Sequence, residues 1–333
     1  MDDLFGDLPP PSENTEPTKK VLAVQEKCLK RTSTDSIEVH EVKRKKSEKE
    51  AKSYKLKSFI AERKGERDEM QDAAMLLDDC TTDYHLCNCG FKIQRASFHA
   101  VFDGHGGKRA SHFAKDNLHR YIKTHFPKEP VENFDKELKR RLVTAFKEMD
   151  DEFIRQASRE NPAWRDGSTA SCVLTINNIF YVASIGDSKT LLVRTNEEKC
   201  SVVSLSKDHS PTLYEERQRV QNAGGFVKDG RVQGVLEVSR SFGDARFKKY
   251  VISTPDIFKS TITEKDRYLI IACDGLWKGF TVNEAVKFID NILNDDSIDD
   301  VDVRYENACK EVANEAIRRG SSDNVTVVLI RIC

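Results

Sequence analysis

The stretch "SFHAVFDGHGG", residues 97–107, places an apolar run directly before an aspartate, a histidine and three glycines. Such a run is typical of a strand that lies in a protein core. A carboxylate at its end needs a partner, because removing an unpaired charge from water costs several kcal/mol or more. Asp103 therefore predicts a partner group at the end of this strand.

Further apolar, β-branched runs recur along the chain and predict more strands. They are "SFIAER", "AAMLL", "ASCVLTI", "IFYVASI", "TLLVR", "RYLIIAC" and "NVTVVLIRI". Only Asn177 and Asn178 separate the third run from the fourth, which predicts a tight hairpin. Strand pairs joined by such short connections predict sheets that are largely antiparallel.

Apolar residues at helical spacing predict helices between these strands. Two of the segments run from Ala110 to Tyr121 and from Leu138 to Phe153. Two later segments are "VNEAVKFIDNIL" and "RYENACKEVANEAIRRG", and Gly320 is placed to end the second. Helices that cover the faces of antiparallel sheets give an α+β fold.

The composition limits the class of protein. The chain has 333 residues, 38% hydrophobic and 33% charged, with a formal net charge of -1. This balance predicts a globular protein with a sizeable core and no nucleic-acid partner, since nucleic-acid binders usually carry a basic excess. No run approaches the roughly 18 apolar residues that span a bilayer, so we expect no membrane insertion. Nine scattered cysteines and an N-terminus without an apolar secretion signal predict a reducing, intracellular setting.

Residues 1–53 differ from the rest of the chain. They mix Pro, Ser, Thr, Glu and Lys with few large apolar groups, which predicts a disordered N-terminal tail before a domain at 54–333. The opening "DDLFGDLPPP" has the character of a docking peptide, and the basic cluster at Lys43–Lys46 that of a nuclear-import signal. A merely solvated tail is the alternative for both. We expect a cytoplasmic location, extended to the nucleus if the basic cluster acts as such a signal.

Aspartates stand at the boundaries of several predicted strands. Asp103, Asp187 and Asp274 follow apolar runs, whereas Asp72 and Asp323 precede them. In an antiparallel sheet the end of one strand lies beside the start of the next, so these acids can meet on one rim. Crowded carboxylates repel one another unless cations lie between them, and oxygen ligands without clustered His or Cys favour Mg²⁺ or Mn²⁺ over zinc. The alternative is that each aspartate beside glycine is a turn residue.

Two further residues near these acids indicate phosphate chemistry. The guanidinium of Arg67 has donors that match a phosphate, and His105 can give a proton to a leaving oxygen near neutral pH. Paired metal ions can generate a hydroxide and align it for attack. Together these groups predict the hydrolysis of a phosphate ester.

The motifs also resemble those of a known family. They are Arg67 in "GERDEMQDA", "DGHGG" at 103–107, "DGSTA" at 166–170, "IGDSK" at 185–189, "LEVSRSFGD" at 236–244, "CDGLW" at 273–277 and "SSDNVTV" at 321–327. Their types and order resemble those of the metal-dependent protein phosphatases of the 2C type over roughly Ser58 to Ile332. The resemblance implies a four-layer α-β-β-α sandwich of two stacked antiparallel sheets flanked by helices.

The resemblance also implies a centre of two Mn²⁺ or Mg²⁺ ions. In the family's pattern Asp103 bridges both ions, and the Gly104 carbonyl serves one of them. Asp274 and Asp323 complete the other ion's ligands, and Asp72 orients bound waters. Asp187 matches a residue associated with a weaker third ion.

The same resemblance implies how the chemistry proceeds. Arg67 holds the substrate phosphate, and His105 is the general acid for the departing Ser or Thr oxygen. A hydroxide bridging the ions attacks phosphoserine or phosphothreonine directly, in intracellular signalling. Residues 207–250 correspond to the family's variable flap, a segment beside the active site. We expect phosphorylated proteins as substrates and a monomeric enzyme.

A closer resemblance lies within the family. The segments "AERKGERDEMQDA", "PAWRDGSTA" and "DLFGDLP" look most like the branch associated with integrin-linked kinase, which implies that kinase as a partner.

Two positions depart from the family's usual pattern. Gln71 stands where many members have Glu, and Lys278 where many have a second Asp. Gln71 still offers an oxygen to a bound water but no charge. An ammonium cannot coordinate a cation, so Lys278 predicts a weak or absent third ion.

Other functions and sites stay open at this level. The two departures are compatible with a catalytically weakened scaffold that binds phosphoproteins. A metal-dependent nuclease would share the carboxylates but should show a basic groove. Cys80, His85, Cys87 and Cys89 lie close together, although their spacing fits no common zinc module.

Overall fold

The computed structural model describes residues 54–84, 87, 89–196 and 199–333. The predicted tail at 1–53 and its basic cluster lie outside the described residues. The strands are β1 (Leu56–Arg63), β2 (Ala73–Leu77), β3 (Ala96–Phe102), β4 (Gly104–His105), β5 (Gly167–Ser168), β6 (Ala170–Ile176), β7 (Ile179–Ile185), β8 (Lys189–Asn196), β9 (Lys199–Ser204), β10 (Val227–Lys228), β11 (Arg231–Val232), β12 (Phe242–Gly243), β13 (Asp256–Thr261), β14 (Asp266–Ala272) and β15 (Val325–Ile332). The α-helices are α1 (Arg109–His125), α2 (Phe134–Ala157), α3 (Tyr214–Asn222), α4 (Asp274–Gly279), α5 (Val282–Leu293) and α6 (Val301–Arg318).

Two five-stranded antiparallel sheets form the centre of the domain. The first has the order β1-β15-β14-β8-β9 and the second the order β13-β7-β6-β3-β2. The predicted hairpin is confirmed, since β6 and β7 pair up to Ile176 and Ile179 around a turn in which Asn177 has φ 53°.

Side chains alternate along the central strands between two apolar layers. In β3, Phe98 and Ala100 pack with α1 and α2, whereas Val101 points to the layer between the sheets. In β14, Ile270 packs with α5 and α6, whereas Ile271 joins the layer between the sheets. Because both faces of β3 are covered, all seven of its residues are buried, including the polar Ser97 and His99. The predicted four-layer α-β-β-α sandwich is confirmed.

The helices that cover the sheets have the predicted apolar stripes. Leu118 of α1 and Phe146 of α2 lie against the second sheet, and Val312 of α6 lies against the first. Gly320 follows the end of α6 with φ 92°, a conformation that favours glycine after a helix. In the described part of the chain, no helix is long and apolar enough to cross a membrane.

Strand register brings the aspartates to one end of the sandwich. Ala73 pairs with Phe102, so Asp72 and Asp103 lie just beyond the same end of the β2–β3 pair. Ala272 pairs with Val327, which puts residue 274 beside the start of β15. The sequence did not predict α3, α4, the edge strands β9 and β13, or the short strands β4, β5 and β10 to β12, which carry no clear apolar periodicity.

Candidate active site

A cavity of about 310 Å³ opens at this end of the sandwich. The sequence-predicted residues that line it are Arg67, Gln71, Asp103, Gly104, His105, Asp187, Asp274, Lys278 and Asp323. They come from positions that are more than 250 residues apart along the chain, as the Arg67–Asp323 separation of 256 shows. This convergence favours a shared site over a set of independent turn residues.

Asp103 and Asp72 lie side by side, and no side-chain cation of the described residues contacts either carboxylate. Within the described part of the chain, the Asp103 carboxylate has no hydrogen-bond or ion-pair partner. Asp72 is buried and accepts a hydrogen bond from Thr326 Oγ1 at 2.8 Å. Burial and then the repulsion of nearby carboxylates raise the pKa of Asp103 well above its ordinary value, and burial raises that of Asp72 to about 6. Two crowded acids of this kind would be stabilised as carboxylates by a bound cation.

The thiol of Cys273 belongs to the same corner. One ligand atom each from Asp72, Asp103 and Cys273 lie within 4.8 Å of one another. The Cys273 sulfur accepts a hydrogen bond from the Thr326 amide at 3.1 Å and lies 3.4 Å from the Asn324 carbonyl. These bonds connect the end of β14 to the start of β15 and hold the acids of both strands in place.

Position 104, directly after Asp103, has room only for glycine. A Cβ at this position would lie 2.2 Å from the Gln71 carbonyl oxygen and 2.8 Å from Ser111 Oγ. The Ser111 hydroxyl also donates to that Gln71 carbonyl at 2.5 Å. Gly104 is buried, and it is one of the residues that line the cavity. The Gln71 side chain donates to Glu69 Oε1 at 3.1 Å.

Asp274 and Asp323 differ from Asp103, because side-chain cations contact them. Lys278 Nζ lies 2.6 Å from Asp274 Oδ2 and 2.6 Å from Asp323 Oδ2. Arg67 Nη2 donates to the same Asp323 oxygen at 2.9 Å. Burial would raise the pKa of Asp323, but the bonds with Lys278 outweigh it and hold the pKa below its ordinary value.

Asp187 completes the acidic wall of the cavity. Burial, followed by the charge of Asp274, raises its pKa to about 6. It follows β7, as predicted, and lies near enough to Lys278 for that charge to oppose part of the rise.

His105 forms a pair that the sequence analysis did not identify. Its Nε2 lies 2.7 Å from Oδ2 of the buried Asp244, which also accepts from Ser241 Oγ at 2.6 Å. Gly167 makes room for the pair, since a Cβ there would lie 2.2 Å from His105 Nε2. Burial alone would lower the pKa of His105, but the hydrogen bond with Asp244 outweighs it and raises the pKa.

The signal for Asp244 was present in the sequence. Asp244 is the last residue of the motif "LEVSRSFGD". The residues around it do not indicate a contact with His105, which is 139 positions away. Of the four residues weighed for a zinc site, Cys80, His85, Cys87 and Cys89, His85 lies outside the described residues. Among the described residues, the group around Asp103 is the one set of three or more His, Cys, Asp or Glu with metal-ligating spacing.

The chain matches known proteins over most of its length. The sequence pattern of the family described as "Protein phosphatase 2C" matches residues 57–325. The chain is 53% identical over 289 residues to "Integrin-linked kinase-associated serine/threonine phosphatase 2C" of Mus musculus, covering 84% of this chain and 73% of the relative. The relative of the same name from Bos taurus is 47% identical over 348 residues, covering 99% and 93%.

Solved structures give the same fold. "Structure of a C.elegans sex determining protein" matches with a TM-score of 0.70 and 26% identity, over 83% of this chain and 65% of that chain. "Crystal structure of serine-threonine phosphatase 2C from Toxoplasma gondii" matches with a TM-score of 0.68 and 21% identity, over 84% and 95%. The motifs, the sandwich and these matches place the chain in the protein phosphatase 2C family.

Proposed function

We propose that this protein is a serine/threonine phosphatase that hydrolyses phosphoserine and phosphothreonine esters in proteins. The names of the relatives support this activity and give no support to a scaffold without turnover. The observation that carries the proposal is the convergence of Asp103, Asp274 and Asp323 with Arg67 and His105 on one cavity.

Two Mn²⁺ or Mg²⁺ ions fit the donors of this cavity. The donors are carboxylates and the backbone carbonyl of Gly104, which are hard oxygen ligands. Asp103 would be shared between the ions, with the Gly104 carbonyl on one and Asp274 and Asp323 on the other. When bound, the pair would supply the hydroxide that attacks phosphorus. Asp72, buried beside Asp103, would orient water bound to the ions.

His105 and Arg67 would act on the substrate itself. With a raised pKa, His105 holds a proton that it can pass to the departing Ser or Thr oxygen. The exposed guanidinium of Arg67 would hold the phosphate in place for attack. Both side chains line the same cavity, so a phosphate bound there would be within reach of both.

A third ion beside Asp187 would bind weakly or not at all. The ammonium of Lys278 stands where a carboxylate ligand would be needed, and it repels a further cation. Calorimetric titration with Mn²⁺ should therefore show no third site that depends on Asp187.

The wider role of the protein is also a proposal. Phosphorylated proteins in intracellular signalling would be the substrates, and the names of the relatives favour integrin-linked kinase as a partner. We infer a monomer that acts in the cytoplasm and, through Lys43–Lys46, in the nucleus. Imaging a fluorescent fusion with and without that basic cluster tests the location.

Assays with p-nitrophenyl phosphate and with a phosphothreonine peptide test the activity. We expect turnover of both with Mn²⁺ and loss of both with excess chelator. Purified protein that binds Mn²⁺ yet hydrolyses neither substrate would instead indicate a scaffold that binds phosphoproteins.

A further inference from the structure

The ammonium of Lys278 occupies the space between two proposed metal ligands. Its Nζ is 2.6 Å from an oxygen of Asp274 and 2.6 Å from an oxygen of Asp323. Asp274 and Asp323 come from different elements, the start of α4 and the loop before β15. A single side-chain cation therefore holds these two carboxylates together.

The position of Lys278 makes this contact a persistent one. Lys278 follows Asp274 by four residues on α4, so the two side chains lie on the same face of the helix. Because the chain keeps the Lys278 ammonium beside the two carboxylates, its effective concentration there is on the order of millimolar. A free metal ion displaces it only at a higher concentration or by binding the carboxylates more tightly. The Lys278 side chain is 44% exposed, so it has a path to solvent when it is displaced.

A divalent ion cannot share this position with the ammonium. The charged ammonium has three donors and no lone pair, so it cannot join the ligands of a metal. Asp323 Oδ2 also accepts from Arg67, so two side-chain cations engage an oxygen that the metal would need. Asp103 and Asp72 show the opposite arrangement, with no side-chain cation on either carboxylate among the described residues.

We propose that Lys278 is a tethered competitor of the divalent ion at Asp274 and Asp323. This inference rests on the proposed function, because it takes these two aspartates as metal ligands. In the metal-free protein the ammonium neutralises the pair, and metal binding displaces it toward solvent. Lys278 therefore stabilises the metal-free state and lowers the affinity for the ion that Asp274 and Asp323 hold. Activity would then require a higher concentration of free Mn²⁺ or Mg²⁺ than the carboxylates alone would need.

Two measurements on the full chain test the competition. Isothermal calorimetry with MnCl₂ gives the affinity, and thermal unfolding in chelator gives the stability of the metal-free state. Lys278→Met keeps the length of the side chain and removes its charge. We expect it to bind Mn²⁺ at least about fivefold more tightly, because a competing unit charge in contact with the ligands is lost. The same variant should unfold at a lower temperature in chelator, because two carboxylates then repel each other.

Two further variants serve as controls. Lys278→Arg keeps the positive charge and should bind Mn²⁺ within about twofold of the wild type, as expected when charge sets the competition. Lys310→Met breaks another ion pair four residues apart, with Glu306 on α6, and should change neither measurement. Lys278→Gln replaces Lys278→Met if the latter does not fold.

The opposed signs of the two measurements distinguish competition from a structural role. Higher Mn²⁺ affinity together with lower metal-free stability supports the proposal. Equal or weaker affinity in the neutral variants overturns it and leaves the proposed function intact. Absence of Mn²⁺ binding in the wild type and in every variant overturns both.

Discussion

Two acids in this protein have opposite surroundings. Asp103 is half-buried at the cavity, no side-chain cation of the described residues contacts it, and desolvation raises its pKa. Glu216 is buried at the base of the flap, where it bonds Arg240 at 2.6 Å, Ser239 at 2.6 Å and Arg219 at 3.0 Å. Burial alone would raise the pKa of Glu216, but the bonds with Arg240 and Ser239 outweigh it and hold the pKa at about 2.

The difference separates a functional acid from a structural one. Arg240 and Arg219 neutralise the charge of Glu216, so Glu216 stabilises the folded state. Asp103 has its charge left unbalanced, which costs stability unless a cation arrives from outside. Removing the first acid should therefore destabilise the protein, and removing the second should abolish its chemistry without destabilising it.

The largest expected effect is that of Asp103→Asn on turnover. The substitution keeps the shape but removes a shared metal ligand, so phosphatase activity should fall by about 1000-fold or more, roughly 4 kcal/mol of transition-state stabilisation. In chelator, the free energy of unfolding should stay the same or rise, because a repelling charge has been removed. A clear loss of stability in urea titrations without metal would contradict the view that this acid is unbalanced.

The next effect is that of Glu216→Gln on stability. It removes one of the two carboxylates that pair with Arg240, 14% exposed, leaving Asp256 as the other, and should lower the free energy of unfolding by about 3 kcal/mol. Because the folded pKa of Glu216 is below the ordinary 4.5, the difference from wild type should shrink as pH falls from about 4.5 toward about 2. Glu215→Gln is the matched control, since its ion pair with Lys207 is exposed and should matter little.

The pair of His105 and Asp244 should give a smaller effect that depends on the substrate. Asp244→Asn removes the charge that keeps His105 oriented and protonated, so hydrolysis of a phosphothreonine peptide should slow by about 10- to 100-fold. Hydrolysis of p-nitrophenyl phosphate should slow less, because its leaving group needs no proton. Equal losses in kcat for the two substrates would show that Asp244 acts on the fold and not through His105.

The smallest effect is expected at Asp72. Thr326→Val deletes the hydroxyl that donates to Asp72 Oδ2 and keeps the shape of the side chain. The free energy of unfolding should fall by about 1 kcal/mol, the usual worth of one hydrogen bond. Mn²⁺ affinity from calorimetry should change less than it does in Lys278→Met. A larger change would mean that the Thr326 hydroxyl, and not charge, sets the affinity of this rim.

Much of the fold was predictable from local patterns. The apolar runs and the helical stripes predicted the principal strands and four of the helices, because burial on one or both faces imposes a period on the sequence. The turn at Asn177 and the helix end at Gly320 were predictable because each needs a positive φ. The short helices α3 and α4, the edge strands β9 and β13 and the flap strands were not, since these elements of two to nine residues show no clear apolar period.

The candidate site was predictable only in part. Acids at strand ends could be expected to meet, because antiparallel strands begin and end at a common edge. The contact of Lys278 with both Asp274 and Asp323 could not, since it depends on the register of β14 with β15. The pairing of Asp244 with His105 was also not predictable, because the two residues are 139 positions apart and meet only in the folded chain.

The central claim is that carboxylates far apart in the chain hold two divalent ions in one cavity. Anomalous scattering from a manganese-soaked crystal tests it most directly. The account predicts two manganese peaks in the cavity, with Asp103 between them and Asp274 and Asp323 on one of the two. A map with no peak near Asp103, or with manganese only elsewhere on the molecule, would contradict it.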